Sequence, residues 1–300
     1  VAEVDFNFSD YVEQRKGDGD KSRFGGAAYA YPADQKVLRT LERMTPVTLA
    51  VEATVRLWKN VAKSEILGTS VKVTEKQFPE IYKITADCSA KLEIAPPTVY
   101  IAPEVGVLNA HTLGTRDDSY VVLNGILVDH LSEDELKFVI GHECGHIQNN
   151  HVVYMTALYY LMYSANVFVR WIVQPAIMAL QSWARRAEIT CDRAGILCCG
   201  DLGEATSALI RLALGSQKLA EKINVDEYLK QLEESQEGVG RAAELFRSHP
   251  YLPKRVEALR KFATTYYYLS ALDPEGDVDG TSLNSCDAEV SEILAIFRKD

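Results

Sequence analysis

Apolar residues recur with a helical period from near Ala33, pause at Pro46 and resume from Val47 to Lys63. Gly68 to Val73 alternates as a short strand does. Phe78, Ile81, Tyr82, Thr85, Cys88 and Leu92 then mark the buried stripe of another helix. Pro96-Pro97 interrupts the chain, since a proline ring nitrogen cannot donate to a helix or ladder. Three short runs with strand character follow: Thr98 to Ala102, Val107 to Leu113 and Tyr120 to Leu123. Ser132 and Glu135 have the spacing of a capping box, which predicts a long helix from Glu133 onward. From there to about Tyr268 the pattern is helical, with breaks expected near Pro175, Gly200, Gly215 and Ser248-His249-Pro250. No internal repeat is present.

Helices, then a small sheet, then helices make an α+β order around one core, mostly helical, rather than alternating βα units. Residues 1–26 are polar, with Gly17-Asp18-Gly19-Asp20 and Gly25-Gly26, and read as an extended or mobile arm. Residues 27–270 read as the folded domain, and 271–300 as an acidic linker ending in a short amphipathic helix near Val290 to Phe297.

Composition narrows the function classes. At 300 residues, 47% hydrophobic and 25% charged, the chain can bury a core without metal or disulfide staples, so a metal site here would be functional. Its 32 basic and 42 acidic side chains leave a net charge of −10 with no basic cluster, which excludes a nucleic-acid partner. The cysteines (Cys88, Cys144, Cys191, Cys198, Cys199, Cys286) form no C-x-x-C pair and read as free, mostly buried thiols. That points to the cytoplasm or another reducing compartment. The sequence opens on Val1 and contains no stretch patterned as a signal peptide.

One motif carries chemistry. His142-Glu143-Cys144-Gly145-His146 is an H-E-x-x-H pattern. On a helix, positions i and i+4 lie about 40° apart, so both imidazoles project from one face and can share one zinc. Glu143 stands about 100° round from His142, out of ligand reach but within reach of a water held there. Cys144 points about 200° away and reads as a structural thiol, as does Cys191. A third histidine ligand, in an extended H-E-x-x-H-x-x-G-x-x-H pattern, would require a glycine and a histidine where the chain has Asn149 and Val152. His151, about 140° round from His146, cannot take that place. A glutamate from a second helix remains, and Glu188 with Asp192 one turn on offers it. Asp192 would then accept the second N–H of a ligating imidazole. Spacing alone leaves open that Glu188 and Asp192 are solvated carboxylates on an outer face.

Three blocks give the chain a wider resemblance. They are His142-Glu143-Cys144-Gly145-His146 with Asn150-His151; Glu188 with Cys191-Asp192-Arg193-Ala194-Gly195; and His249-Pro250 with Arg255-Val256-Glu257-Ala258-Leu259. Over about residues 65 to 265 the chain resembles the HtpX and CAAX-prenyl-protease type of gluzincin metallopeptidase. The resemblance implies a gluzincin-type domain, with a small mixed sheet of about three to four strands beside the active-site helix and a helical C-terminal half. It implies one Zn2+ per chain on His142, His146 and Glu188, Asp192 in support, and Glu143 as general base of a zinc metalloendopeptidase. Leu108 to Gly114 resembles the strand at the rim of the family's cleft, where Asn109, Ala110 and His111 would bind a protein or peptide substrate as an added strand. His111 departs from the family's usual apolar residue. His249 would be an oxyanion donor or a gating ligand, with Arg255 orienting it; helix capping and a surface ion pair are the plainer reading of both.

The expected activity is proteolysis of extended or unfolded protein segments. The alternative is a latent or non-catalytic gluzincin scaffold, a binding or chaperone-like module gated by His249. A third reading places function in a surface adaptor built on the apolar stretch 152–180. That stretch (Val152 to Val169, then Trp171 to Leu180) reads as a helical hairpin buried in the domain or facing a partner, with membrane contact as the alternative. No G-x-S-x-G, P-loop or dinucleotide fingerprint is present. Glu275, Asp277, Asp279 and Gly280 resemble the start of a calcium loop, but Cys286 occupies the position that needs a bidentate Glu, so the segment reads as a solvated linker.

Overall fold

The structure is a computed structural model, describing residues 26–57, 63–103, 109–115, 118–163, 167–235, 244 and 247–296, and of 163–173 and 231–235 only the helical path. Nearly all of the predicted arm, Val107 and Leu108 of the predicted rim strand, and Phe297 lie outside the described residues.

The chain enters through α1 (Pro32–Leu41), α2 (Thr45–Leu57) and α3 (Lys63–Thr69), then β1 (Val71–Lys72) and α4 (Pro79–Lys91). β2 (Thr98–Ala102), β3 (Ala110–Gly114) and β4 (Ser119–Asn124) follow. Then come α5 (Gly125–His130), α6 (Glu133–Gln148), α7 (Val152–Tyr163) and α8 (Val167–Cys199). The remainder is α9 (Leu202–Leu214), α10 (Gln217–Ala220), α11 (Val225–Ser235), α12 (Leu252–Ala263), α13 (Tyr266–Leu272) and α14 (Leu283–Leu294). The sheet has the order β1-β2-β4-β3, with β2 and β4 parallel and the outer pairings antiparallel, so β3 forms an edge. The fold is the mostly helical α+β arrangement the pattern predicts.

Local chemistry explains several boundaries. The Ser132 hydroxyl accepts from Glu135 N and the Glu135 carboxylate accepts from Ser132 N, closing the capping box at the start of α6. Among the boundaries that differ from expectation, three have a clear cause. Gly68 ends inside α3, because only Val71 and Lys72 find ladder partners, Ile101 and Tyr100. α8 runs through Pro175 instead of breaking there. An internal proline costs a helix about 3 kcal/mol, but Ala176, Ile177, Leu180 and Trp183 just beyond it are buried, and that packing outweighs the local loss. The last helix begins at Leu283, seven residues earlier than Val290, because the Ser282 hydroxyl accepts from Ser285 N.

The expected single core divides. The main apolar cluster joins the sheet to α4, α6, α8, α9 and α12, with residues such as Ile84, Val121, Phe138, Ile196 and Phe262. A second cluster gathers α1, α2, α7 and α8 around Trp183, with Leu38, Val47, Tyr154 and Leu180. Helix α8 serves both because it is long: Ala176 to Ala187 pack into the second cluster and Ile189 to Cys198 into the main one. Of the 152–180 stretch, α7 and the part of α8 beyond Gln174 pack into the second cluster through Tyr154, Leu158, Ala176, Ile177 and Leu180. Among the described residues no helix is long and apolar enough to cross a membrane. All six cysteines are free thiols.

Gly145 and Gly195 are among the glycines that set how closely α6 and α8 approach. A Cβ on Gly145 would stand 2.8 Å from Ala194 Cβ, and one on Gly195 would stand 2.7 Å from the Phe138 carbonyl oxygen. Backbone cannot yield as a flexible side chain does, so Gly195→Ala should force the two helices apart. The expected loss is about 1–3 kcal/mol of stability, read as a lower melting temperature. An unchanged melting curve would show that the helices do not meet this tightly.

Candidate active site

Helix α6 presents His142 and His146 one turn apart, and α8 lays Glu188 across them. His142 Nε2 lies 3.6 Å from Glu188 Oε2 and His146 Nε2 lies 3.7 Å from Glu188 Oε1. Glu188 is only 1% exposed, so this carboxylate does not face bulk water. Burial opposes its ionisation, but His249, Arg255 and His142 outweigh burial and hold it well below the usual carboxylate range. His142 is raised: burial disfavours its charged form, and Glu188 and Asp192 overcome that. His146 is pushed well below the ordinary histidine value by burial, with His142 and His151 adding to the effect.

A ring of polar contacts holds this cluster. Asp192, one turn beyond Glu188 on α8, places Oδ1 3.0 Å from His142 Nδ1, leaving Nε2 as the ring's outward nitrogen. Arg255 on α12 donates to both Asp192 oxygens, at 2.8 and 2.6 Å, and lies 3.1 Å from Glu188 Oε2. Buried between two carboxylates, Arg255 is held more firmly protonated than usual. His249 approaches from across the cleft, its Nδ1 2.9 Å from Glu188 Oε2 while 58% of its side chain stays exposed. Its segment is pinned behind: Arg185 donates to Arg247 O at 2.6 Å, and buried Glu244 accepts from Tyr251 N and Lys254 Nζ.

Glu143 meets the sheet. Thr112 Oγ1 on β3 donates to Glu143 Oε2 at 2.7 Å. Burial raises the Glu143 carboxyl above its ordinary value, against the opposing pull of His142 and Thr112. Asn109 O accepts from Asn124 N, so by antiparallel alternation His111 and Leu113 also turn their main-chain groups toward β4. Ala110 and Thr112 turn theirs outward, and Gly114, of the same parity, uses its outward N–H on Thr156 Oγ1 of α7. The His111 ring stacks on Tyr159 of α7, centroids 5.8 Å apart. Residues 109–113, the α6 histidines, Glu143, Glu188, His249 and Arg255 all line one cavity of about 660 Å³.

The donors suit a cation. Glu188 Oε1 is buried with no hydrogen-bond partner among the described residues, and such an orphaned anionic oxygen is costly unless a positive charge meets it. Around a tetrahedral zinc with bonds of about 2.0–2.1 Å, ligand atoms stand roughly 3.4 Å apart. The observed separations, 3.6 Å from His142 to Oε2 and 3.7 Å from His146 to Oε1, are close to that length but run to different oxygens, so the carboxylate faces each imidazole with one oxygen. A second donor set shares the same imidazoles: ligand atoms of His142, His146 and Cys191 all fall within 4.8 Å of one another. The two sets differ in charge state. Burial and neighbouring carboxylates push the Cys191 thiol well above its ordinary value, whereas Glu188 is readily anionic. The Cys191 sulfur also has His151 Nδ1 as a polar neighbour, at 3.6 Å.

Every site residue singled out from the sequence thus lines the cleft or, as Asp192 does, supports it. Four neighbours were missed or set aside: Thr112, Cys191, His151 and Asp34. Strand alternation could have pointed to Thr112, the companion of Ala110 on one edge. Nothing in the spacing could have found Asp34, which reaches His151 from α1 across more than a hundred residues.

The chain is 33% identical over 171 residues to the plastoglobule-localized metallopeptidase 48 of Arabidopsis thaliana, covering 56% of this chain and 49% of that protein. It is 29% identical over 228 residues to a protease HtpX homolog of Bifidobacterium longum, covering 64% of this chain and 73% of the relative. With protease HtpX of Haemophilus ducreyi it shares 29% over 197 residues, covering 57% and 68%. The chain therefore spans about half the length of its Arabidopsis relative. No solved structure gives a significant match. Residues 75–263, which hold strands β2 to β4, both histidine-bearing and carboxylate-bearing helices and the His249 segment, match the family described as peptidase family M48, and to that metallopeptidase family the chain belongs.

Proposed function

We propose that this chain is a zinc-dependent endopeptidase that hydrolyses extended or unfolded protein segments. The observation that carries the reading is the Glu188 carboxylate lying across the imidazole pair, Oε2 3.6 Å from His142 Nε2 and the orphaned Oε1 3.7 Å from His146 Nε2, at the wall of a cleft that also holds Glu143. His142, His146 and Glu188 would hold the ion, with the Cys191 thiol outside the set, 3.6 Å from His151 Nδ1. Bound zinc supplies a Lewis acid that polarises the scissile carbonyl and brings the pKa of a water down to about 7.

The chain's own groups do the rest. Glu143, its carboxylate fixed by Thr112, takes the proton of the attacking water at one oxygen and returns it to the departing amine. The raised pKa of Glu143 brings its proton affinity closer to neutral pH, where such a shuttle is efficient. A substrate strand lying along β3 would pair with the outward main-chain groups of Ala110 and Thr112, which brings its backbone past Glu143. Pairing through backbone favours extended chain of many sequences over one folded epitope. His249 would donate to the oxygen that gains charge during attack, and Arg255 would steady Glu188 and Asp192.

One contact favours a second reading, a gated or latent scaffold: His249 already engages Glu188 at 2.9 Å. Both readings are separated by one assay on the purified chain. Unfolded casein should be cleaved, cleavage should stop on chelation, and added zinc should restore it. Cleavage that survives chelation would overturn the zinc mechanism; tight zinc without cleavage would favour the gated scaffold.

A further inference from the structure

Behind His146 lies a buried polar chain. His146 Nδ1 is 3.2 Å from His151 Nδ1, and His151 Nε2 is 3.0 Å from Asp34 Oδ2. Both His151 and Asp34 are 0% exposed. Asp34 also accepts from Trp183 Nε1 at Oδ1, 2.8 Å away, and from Thr190 Oγ1 at Oδ2, 2.7 Å away. Asp34 belongs to α1, which precedes residue 75, where the match to the family begins.

We propose that Asp34, acting through His151, is a positioning residue that fixes the tautomer of His146 and so the lone pair it offers at Nε2. The inference rests on the metal-site reading above. Two ring nitrogens 3.2 Å apart share one proton between them. If His146 gives its Nε2 lone pair to a cation, its proton sits on Nδ1, and His151 Nδ1 must be the acceptor. Neutral His151 then carries its only proton on Nε2, facing Asp34. A carboxylate is an acceptor only, so it holds that proton in place. The contact is close without being aligned as a straight hydrogen bond, so much of the hold is charge against N–H dipole. The opposite tautomer would set a nitrogen lone pair against an anion. The Cys191 thiol, 3.6 Å from His151 Nδ1, is a second donor toward the same lone pair.

An amide cannot replace this carboxylate. In Asp34→Asn, an oxygen turned to Trp183 leaves NH2 facing His151 Nε2, which must then become an acceptor. His151 would carry its proton on Nδ1, confront the Nδ1–H of His146, and push that ring toward the tautomer with no lone pair at Nε2. Turning the amide over leaves the buried Trp183 N–H facing NH2. Only the carboxylate presents an acceptor oxygen to Trp183, Thr190 and His151 at once.

The test reads zinc affinity by competition with a chromogenic chelator, with circular dichroism checking the fold. Asp34→Asn and His151→Leu should each weaken zinc binding about 10- to 100-fold, while His151→Gln, which can accept from His146 and donate to Asp34, should stay within about threefold of wild type. A nitrogen NMR spectrum of the zinc-loaded wild type should find protons on His146 Nδ1 and His151 Nε2. Wild type that takes up no zinc would end the metal-site reading and this inference with it. Wild type that binds zinc, with Asp34→Asn and His151→Leu folded and equally tight, overturns the positioning role alone. Should those variants not fold, the wild-type spectrum decides: a proton on His151 Nδ1 overturns the proposal, and one on Nε2 supports it.

Discussion

Glu143→Gln should retain zinc while losing roughly 10²- to 10⁴-fold in kcat/KM, the usual range for removing a general acid–base group. The substitution keeps the side chain's length and leaves an oxygen to accept from Thr112, which now donates at 2.7 Å. What it removes is the capacity to take a proton. Nothing about the imidazole pair or Glu188 should change, because Glu143 lies about 100° round the helix from His142. Metal analysis beside a peptide-cleavage assay checks both halves. Full activity in the variant would mean that another group moves the proton. Loss of zinc would mean that Glu143 helps hold the metal.

Glu188→Ala should abolish stoichiometric zinc binding, a larger effect than the roughly 10- to 100-fold typical of groups that only support a ligand. Cys191→Ala should leave zinc in place. The contrast matters because both residues stand close to the same two imidazoles. Glu188 is a buried carboxylate held anionic by His249, Arg255 and His142, with one oxygen still lacking a donor. Cys191 is a buried thiol kept protonated by burial and by the carboxylates around it. A ligand must give up its proton, so the carboxylate is ready and the thiol is not. The fold should survive Glu188→Ala, since Arg255 keeps both bonds to Asp192. If zinc is lost from Cys191→Ala and kept in Glu188→Ala, the third ligand is the sulfur.

Much of the site could be read in the chain because it depends on helical periodicity. His142 and His146, or Glu188 and Asp192, share a helix face by spacing alone. The capping box at Ser132 likewise needs only residues within one turn. Pro175 shows where local reading fails: its cost to α8 is real, but the burial of Ala176 to Trp183 is decided by helices elsewhere in the chain. Ser282 shows the opposite failure, a local cap signal present in the sequence and passed over.

Residue spacing settles two half-sites, a pair of imidazoles on one helix and a pair of carboxylates on another, each set by a turn of 3.6 residues. It also settles the α+β order and the thiol character of the cysteines. That the halves meet is a matter of packing, which brings α6 and α8 close where Gly145 and Gly195 leave no side chain between them. Packing decides too that β3 is an edge beside Glu143, that Arg255 bridges Glu188 and Asp192, and that Asp34 stands behind His151. The reason is physical: periodicity is a property of neighbouring residues, whereas the distance between two helices depends on every side chain packed between and around them.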